Sequence, residues 1–251
     1  MMSIEGRQPV REALRAGRPI DRIVIAEGAR AAGVLEEILR EARERGIPVE
    51  RVPRASLDRR ASSRAHQGVI AEAAAYRTRD WREGVAAARA AGRTPLLLAL
   101  DGIQDPQNLG ALLRSAEVLG TDAVIVPARR SAPLGAAVAK AAAGALEHLV
   151  VDQVSNVERA LAACSQEGLW IVALAGEGEQ PIEDCELLGE PVVVVVGAEG
   201  AGVSSLIRKR ADALVRIPML GRIGSLNASA AGAICLWEAS RHRRVAPGDT
   251  N

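Results

Sequence analysis

Aromatic residues are scarce in this chain of 251 residues, which contains three Trp, one Tyr and no Phe. The core must therefore be built from Leu, Val, Ile and Ala, and RNA-binding modules that stack bases on aromatic side chains are excluded. Lysine is also rare, because only Lys140 and Lys209 among the 32 basic residues are not arginine. We attribute this arginine bias to genome composition rather than to function.

Cysteine and histidine are also scarce, and long apolar runs are absent from the sequence. The three Cys and three His lie far apart in the sequence, so we expect neither a disulfide framework nor a metal site. No apolar run approaches the roughly 18 to 20 residues of a membrane span, and the charged N-terminus does not resemble a signal peptide. With 48% hydrophobic and 25% charged residues, the composition is that of a globular protein. We therefore expect a cytoplasmic protein that does not interact with a membrane.

The net charge of +1 is distributed unevenly along the chain. Residues 1–79 carry a net charge of +5, whereas residues 151–251 carry −4. This asymmetry suggests different ligands for the two ends of the protein, although an arginine-rich solvated surface would give the same pattern.

Residues 1–76 are predicted to form a small α/β domain, and residues 77–94 a charged, alanine-rich linker with one helix. In the first region, helical spacing of apolar residues alternates with short apolar strands at 22–25, 47–52 and 67–73. From Pro95 onward the pattern changes to continuous apolar runs at 96–100, 123–126, 169–174 and 192–196. Such runs are typical of strands buried on both faces.

Helical stretches near 108–119, 135–146 and 156–167 separate these runs. Alternation of strand and helix predicts a doubly wound parallel sheet over residues 95–244, followed by a polar tail at 245–251. Ligands of such sheets bind beyond the carboxyl ends of the strands, so the loops at those ends are the places to search for a site.

The first such loop leads into a helix, for which Asn108 is the expected N-cap. The apolar stripe of this helix is expected to pack on the sheet and consists of Leu109, Leu112, Leu113 and Ala116. Arg114 lies on nearly the opposite side, where it could meet a ligand. A solvated arginine on an amphipathic helix would show the same pattern.

The second loop, G-A-E-G-A-G at 197–202, follows the most apolar run. Its glycine spacing matches neither a dinucleotide-binding motif nor a P-loop. Glu199 would also place a negative charge where phosphate oxygens need donors. A carboxylate is better suited to a cationic ligand, or to amine and hydroxyl donors; the alternative is a tight turn with a surface glutamate.

The third stretch, 215–233, predicts a short strand, a glycine-bearing loop and a helix rich in Ala and Gly. Ser225 or Asn227 is the expected N-cap of that helix. Because the residues at 228 and 230–233 are all small, the helix backbone can approach a neighbouring element closely.

Together and in this order, the three loops resemble the motifs of the SpoU (TrmH-like) branch of the SPOUT RNA methyltransferases. The resemblance rests on N-L-G-A-L-L-R-S-A at 108–116, G-A-E-G-A-G at 197–202, I-P-M at 217–219 and S-L-N-A-S at 225–229. Within the family, the chain is most similar to RlmB-type enzymes, which methylate the 2′-hydroxyl of a guanosine in large-subunit (23S) ribosomal RNA. The segments G-R-Q-P-V-R-E-A-L at 6–14 and H-Q-G-V at 66–69 resemble the small RNA-binding domain of that subgroup.

The resemblance implies a deep trefoil knot around a site for S-adenosylmethionine, and a homodimer formed through the knotted domain. The small-residue helix at 227–241 is a plausible dimer contact. The resemblance also implies that Gly197, Ile217 and Leu226 hold the cofactor mainly through backbone groups, with Gly200 and Ser225 beside them.

By the same resemblance, Arg114 is the catalytic arginine, and Asn108, Glu199 and Asn227 surround it. Methyl transfer from a sulfonium requires alignment of the acceptor oxygen and removal of its proton, and it requires no metal. We therefore expect S-adenosylmethionine as methyl donor and no metal cofactor.

Two other functions are compatible with the sequence. The enzyme could act on transfer RNA or on another ribosomal nucleotide, or the chain could be a non-catalytic RNA-binding protein of ribosome assembly. The presence of Arg114, Glu199 and Asn227 argues against the non-catalytic alternative. A nucleotide-binding oxidoreductase is disfavoured by the glycine spacing and by Glu199.

Overall fold

The computed structural model describes residues 2–61, 66–73 and 76–244. Their contacts divide the chain into two compact units. The first unit is formed by residues within Met1–Arg77 and Pro133–His148, and the second by residues within Thr78–Ala132 and Leu149–Asn251. The predicted polar tail, 245–251, lies outside the described residues.

The described part of the chain contains eleven strands and nine α-helices. The strands are β1 (Met2–Glu5), β2 (Ile20–Ala26), β3 (Val49–Val52), β4 (Val69–Ala73), β5 (Leu96–Asp101), β6 (Ala123–Pro127), β7 (Val151–Val154), β8 (Trp170–Leu174), β9 (Gln180–Pro181), β10 (Val192–Gly197) and β11 (Ala213–Arg216). The helices are α1 (Arg7–Arg15), α2 (Val34–Glu44), α3 (Arg54–Arg60), α4 (Trp81–Ala90), α5 (Pro106–Val118), α6 (Ala136–Ala141), α7 (Val157–Gln166), α8 (Ser205–Arg210) and α9 (Ala228–Arg244). In this part of the chain, no helix has both the length and the apolar character needed to cross a bilayer.

The first unit contains a four-stranded sheet of order β1-β4-β2-β3. Strand β4 pairs antiparallel with β1 and β2, whereas β2 and β3 are parallel. The core is aliphatic, as the scarcity of aromatics predicts, and includes Ile4, Leu14, Ile23, Leu35 and Ile38. The three predicted strands are confirmed with shifted ends, whereas β1 and α3 were not predicted.

The second unit contains a seven-stranded sheet of order β7-β6-β5-β10-β8-β11-β9, in which every pairing is parallel. All six residues of the central strand β10 are buried, as are the first five of its neighbour β5. This confirms the predicted doubly wound parallel sheet. Strands β7 and β9 were not predicted, because β7 is only partly buried and β9 has only two residues.

Two segments take positions that no pattern in the sequence indicated. Helix α4, inside the predicted linker, packs on the second sheet with Trp81 and Val85 only 2% and 3% exposed. Segment 133–148 belongs by its contacts to the first unit, where Glu147 forms a buried ion pair with Arg18. The helix predicted at 135–146 ends at Ala141, since Ala143 and Gly144 adopt positive φ and a short 3₁₀ helix follows.

Candidate active site

The carboxyl ends of β8, β10 and β11 surround a cavity of about 650 Å³. This is the edge at which ligands of doubly wound sheets bind. The five residues predicted to hold a cofactor all line this cavity: Gly197, Gly200, Ile217, Ser225 and Leu226. The structure therefore brings together residues that lie up to 29 positions apart in two separate motifs.

The loop after β10 is a closed turn, and Gly197 at its start leaves no room for a side chain. A Cβ atom at Gly197 would collide with the carbonyl carbon of Gly202, so the backbone there requires glycine. Gly200 and Gly202 have positive φ values of 75° and 65°, and the Gly202 amide donates a hydrogen bond to the Ala198 carbonyl at 2.8 Å. The resulting wall of the cavity is made largely of backbone groups.

Glu199 projects from this loop into a polar cluster with Asn108 and Asn227. Its Oε1 accepts hydrogen bonds from Asn108 Nδ2 at 3.0 Å and from Asn227 Nδ2 at 2.5 Å. Asn227 Nδ2 also donates to Asn108 Oδ1 at 2.8 Å. The three motifs thus meet through their side chains, and two amide donors fix the orientation of the carboxylate.

Asn227 has a second role, as the N-cap of α9. Its Oδ1 accepts from the backbone amides of Ser229 at 2.9 Å and Ala230 at 3.3 Å. This confirms Asn227 as one of the two expected caps. The helix also packs closely, as its composition predicted, because a Cβ at Gly232 would collide with Leu112 of α5.

Asn108 is not the N-cap of α5, contrary to the prediction. That position belongs to Asp105, whose side chain accepts from the Gln107 amide at 2.8 Å, while Pro106 occupies the first turn. Proline fits there because its missing N–H would have no partner within the helix. Asn108 therefore lies within the first turn, only 8% exposed, and its side chain is available to Glu199.

Arg114 is separated from this cluster. The predicted apolar stripe of α5 is fully buried, and Arg114 is exposed on another face with no hydrogen bond or ion pair to any described residue. Six residues of helix place it about 9 Å along the axis from Asn108. It does not line the cavity.

Sequence reasoning missed the loop after β8. Leu174, Ala175, Gly176 and Glu177 line the cavity, and Glu177 forms an ion pair with Arg208 at 2.6 Å. The same signal that identified the other loops was present, because Gly176 and Gly178 follow a continuous apolar run.

The cysteines offer no activated nucleophile. Burial raises the pKa of Cys164 to about 12, and burial likewise raises the pKa values of Cys185 and Cys235. A thiol of raised pKa is protonated at neutral pH and unreactive.

Within the described ranges, no cluster of His, Cys, Asp and Glu is arranged to hold a metal ion. The polar groups that the cavity itself offers are backbone groups, amides, carboxylates and the Arg208 guanidinium.

Family models match both parts of the chain. The SpoU rRNA methylase family matches residues 95–237, which contain all three motifs. A second model, for RNA 2′-O ribose methyltransferase substrate binding, matches residues 3–79.

Curated relatives align with nearly the whole chain. A putative TrmH family tRNA/rRNA methyltransferase of Staphylococcus saprophyticus is 38% identical over 96% of this chain and 95% of its own length. An uncharacterized tRNA/rRNA methyltransferase of Mycolicibacterium vanbaalenii is 41% identical over 96% of this chain and 76% of its own.

Solved structures share the fold. An RNA 2′-O ribose methyltransferase superimposes with a TM-score of 0.79 at 27% identity, covering 97% of this chain and 89% of its own. An S-adenosylmethionine-bound rRNA methyltransferase from Sinorhizobium meliloti gives 0.75 at 26% identity, covering 96% and 87%. The match of family, sequence and fold across both units shows that this chain belongs to the SpoU family of RNA methyltransferases.

Proposed function

We propose that this protein transfers a methyl group from S-adenosylmethionine to the 2′-hydroxyl of a guanosine in large-subunit ribosomal RNA. The observation that carries the proposal is the meeting of the glycine-walled cavity with the Asn108–Glu199–Asn227 cluster in a SpoU-family domain. The S-adenosylmethionine bound to the Sinorhizobium relative supports the choice of cofactor. The names of the curated relatives include both tRNA and rRNA, so a transfer RNA substrate is the second candidate.

The cavity is suited to this cofactor. Gly197 lines the cavity and lets the loop fold back on itself, because only glycine fits against the Gly202 backbone. Leu226 and Met219, each 40% exposed, offer apolar surface to an adenine ring. Backbone groups of Gly197, Ile217 and Leu226 would hold the cofactor, with Gly200 and Ser225 beside them. S-adenosylmethionine supplies a methyl group on a positively charged sulfur, and the carboxylate of Glu199 favours a cation nearby.

Arg114 is the proposed catalytic arginine, and its part in proton removal has two explanations. A guanidinium with a pKa above about 12 is a poor base at neutral pH. In the first explanation, the guanidinium gives up a proton to an RNA phosphate or to solvent, and neutral Arg114 then accepts the 2′-hydroxyl proton. In the second, Arg114 stays charged and stabilises the developing oxyanion. In the second case water or Glu199 takes the proton. The exposed guanidinium is accessible to RNA in both cases.

We propose that the first unit binds RNA through its positive charge. Arg7 and Gln67 link the two segments that resemble the family's RNA-binding domain: the Arg7 amide donates to Gln67 Oε1 at 3.1 Å, and Arg7 Nε donates to the Gln67 carbonyl at 3.3 Å. We also propose the division into 1–76, 77–94 and 95–244, which the family matches over residues 3–79 and 95–237 support.

We also propose that the protein is a homodimer. Helices α5 and α9 pack together, and exposed apolar side chains lie on both: Val118 is 70% exposed, Ile234 39% and Trp237 49%. Burying such side chains against a second copy is favourable, because apolar area leaves water.

Mapping of 2′-O-methylation on total RNA from cells with and without the gene tests the function. We expect one guanosine of large-subunit ribosomal RNA to lose its methyl group, and a plasmid copy to restore it. A lost site in transfer RNA would support the second candidate. An unchanged map, together with no calorimetric binding of S-adenosylmethionine to folded protein, would contradict both.

A further inference from the structure

A second cavity, of about 660 Å³, lies at the carboxyl ends of β5, β6 and β7. Its lining includes Ala198, Ala201 and Gly202, which also line the first cavity. The loop after β10 is therefore a common wall between the two cavities. A transfer between two substrates needs two adjacent sites, and the proposed function uses only the first cavity for its cofactor.

Two arginines follow β6 at the mouth of this second cavity. Arg129 and Arg130 are exposed, and neither has a hydrogen bond or ion pair with any described residue. The two carboxylates of the lining are already engaged: Asp101 accepts from the Ser204 amide at 2.8 Å, and Glu158 pairs with Arg210 at 3.5 Å. Among the charged groups of the lining, the two guanidinium groups therefore remain available to a ligand.

The loop that carries these arginines is held in place. Ser131 Oγ and the Ala132 amide both donate to the Ile103 carbonyl, at 3.1 Å and 2.9 Å. Arg130 adopts a φ of 60°, in the left-handed region that glycine occupies more readily than arginine. The loop therefore holds Arg130 in a fixed backbone conformation that is unfavourable for arginine. Because glycine adopts this conformation readily, Arg130→Gly should preserve the backbone while removing the positive charge.

We propose that the second cavity binds a nucleotide of the substrate RNA adjacent to the methylated one, with its phosphate held by Arg129 and Arg130. Guanidinium groups bind phosphate through paired hydrogen bonds. Gln104 and Ser155, also on the lining, offer polar groups to the sugar or base. Both arginines are exposed, so the polymer can continue on either side. This inference rests on the proposed function and identifies where its substrate lies.

The test is a double variant, R129A/R130G, compared with a matched control, R79A/R89A. The control removes the same charge, and Arg79 and Arg89 are 49% and 47% exposed. They lie at the opposite edge of the sheet, because Arg79 contacts the start of β7 and Arg89 contacts Glu167 after the end of α7. Melting temperatures and cofactor affinity should match the wild type in both variants.

We expect kcat/KM for RNA to fall about 10- to 100-fold in the R129A/R130G variant. The loss of hydrogen bonds to a charged group typically weakens binding by a factor of that size. The control should change it less than about twofold. RNA affinity should also depend less on salt: the slope of log K against log salt should shrink by roughly one for each phosphate that the variant no longer neutralises.

Equal RNA affinity and equal salt slopes for wild type and R129A/R130G would overturn the second cavity as an RNA site. The proposed function would survive that result, provided that the wild type methylates ribosomal RNA. If the wild type binds cofactor but methylates no RNA, the proposed function fails, and the binding and salt measurements still decide whether the cavity contacts RNA.

Discussion

The two units place their polar side chains in different ways. In the first unit, Arg22 pairs with Glu72 at 2.8 Å and Arg60 with Glu50 at 3.1 Å, and these side chains are exposed or half-buried. At the carboxyl edge of the second sheet, glycine backbone and two amides surround Glu199. Exposed ion pairs contribute little stability, whereas a site built on the ends of packed strands is preorganised. This difference accords with the proposal that the first unit binds RNA and the second carries the methyl transfer.

The largest expected effect is that of Arg114→Ala, which should abolish most turnover and leave the first unit intact. Arg114 has no partner among the described residues, so its loss should not disturb the fold or cofactor binding. Turnover should fall roughly 10²- to 10³-fold or more, the usual cost of removing an oxyanion-stabilising group. Single-turnover methylation and calorimetry measure the two effects separately.

Arg114→Lys is the control for this experiment. An ammonium keeps the charge and should retain part of the oxyanion stabilisation, but it cannot make a two-pronged contact to phosphate. Near-normal turnover of Arg114→Ala would show that the assignment of the catalytic arginine is wrong.

A fragment of residues 78–251 removes the N-terminal part of the first unit and keeps its segment 133–148. It should bind cofactor and lose at least roughly tenfold in RNA affinity at low salt, because the basic N-terminal region is gone. A shorter fragment starting at residue 95 should be less stable by about 3 to 5 kcal/mol, because it lacks the buried Trp81. Denaturant titration compares the fragments, and a filter-binding assay compares their RNA affinities. Equal RNA affinity for the longer fragment and the whole chain would show that residues 1–77 do not bind the RNA.

Gly197→Val probes the rigidity of the second unit's site. Its Cβ would collide with Gly202, so we expect a loss of about 1 to 3 kcal/mol of stability, typical of overpacking, together with loss of cofactor binding. Gly224→Ala is the matched control on the same cavity, since a Cβ there meets nothing within 4 Å. Thermal melts should separate the two variants, and identical melting temperatures would contradict a closed turn at 197–202.

The smallest effect is expected for Glu50→Gln on the first sheet. The Arg60 guanidinium lowers the pKa of Glu50 below its ordinary value of 4.5. A lowered pKa in the folded state stabilises the protein above the ordinary pKa, and this stabilisation disappears as the pH falls through the lowered value. Wild type should therefore be slightly more stable than Glu50→Gln at pH 7, and equally stable near pH 2. A difference that grows on acidification would have the wrong sign for this ion pair.

Local pattern was sufficient for most elements of the second sheet. The runs at 96–100 and 192–196 became β5 and β10, because strands buried on both faces require uninterrupted apolar residues. Local sequence pattern gave wrong predictions for short elements and for segments held by contacts with residues far away in the chain. Examples are β9, which was missed, and the helix that ends at Ala141. It also misassigned the cap of α5, since Asp105 and Asn108 are both good capping residues and Pro106 decides between them. The trefoil knot and the homodimer stay predictions.

The sequence by itself determined that glycine, glutamate and asparagine occur in three loops at the same edge of a parallel sheet. Alternation of apolar runs and helices is enough to place loops at that edge, because parallel strands all end there. Only the tertiary structure decided that Asn108, Glu199 and Asn227 share one hydrogen-bonded cluster, that Arg114 lies apart from it, and that α4 and segment 133–148 join different units. Those outcomes depend on contacts between residues far apart in the chain, such as Leu112 with Gly232 and Arg18 with Glu147. Local periodicity carries no information about such pairs.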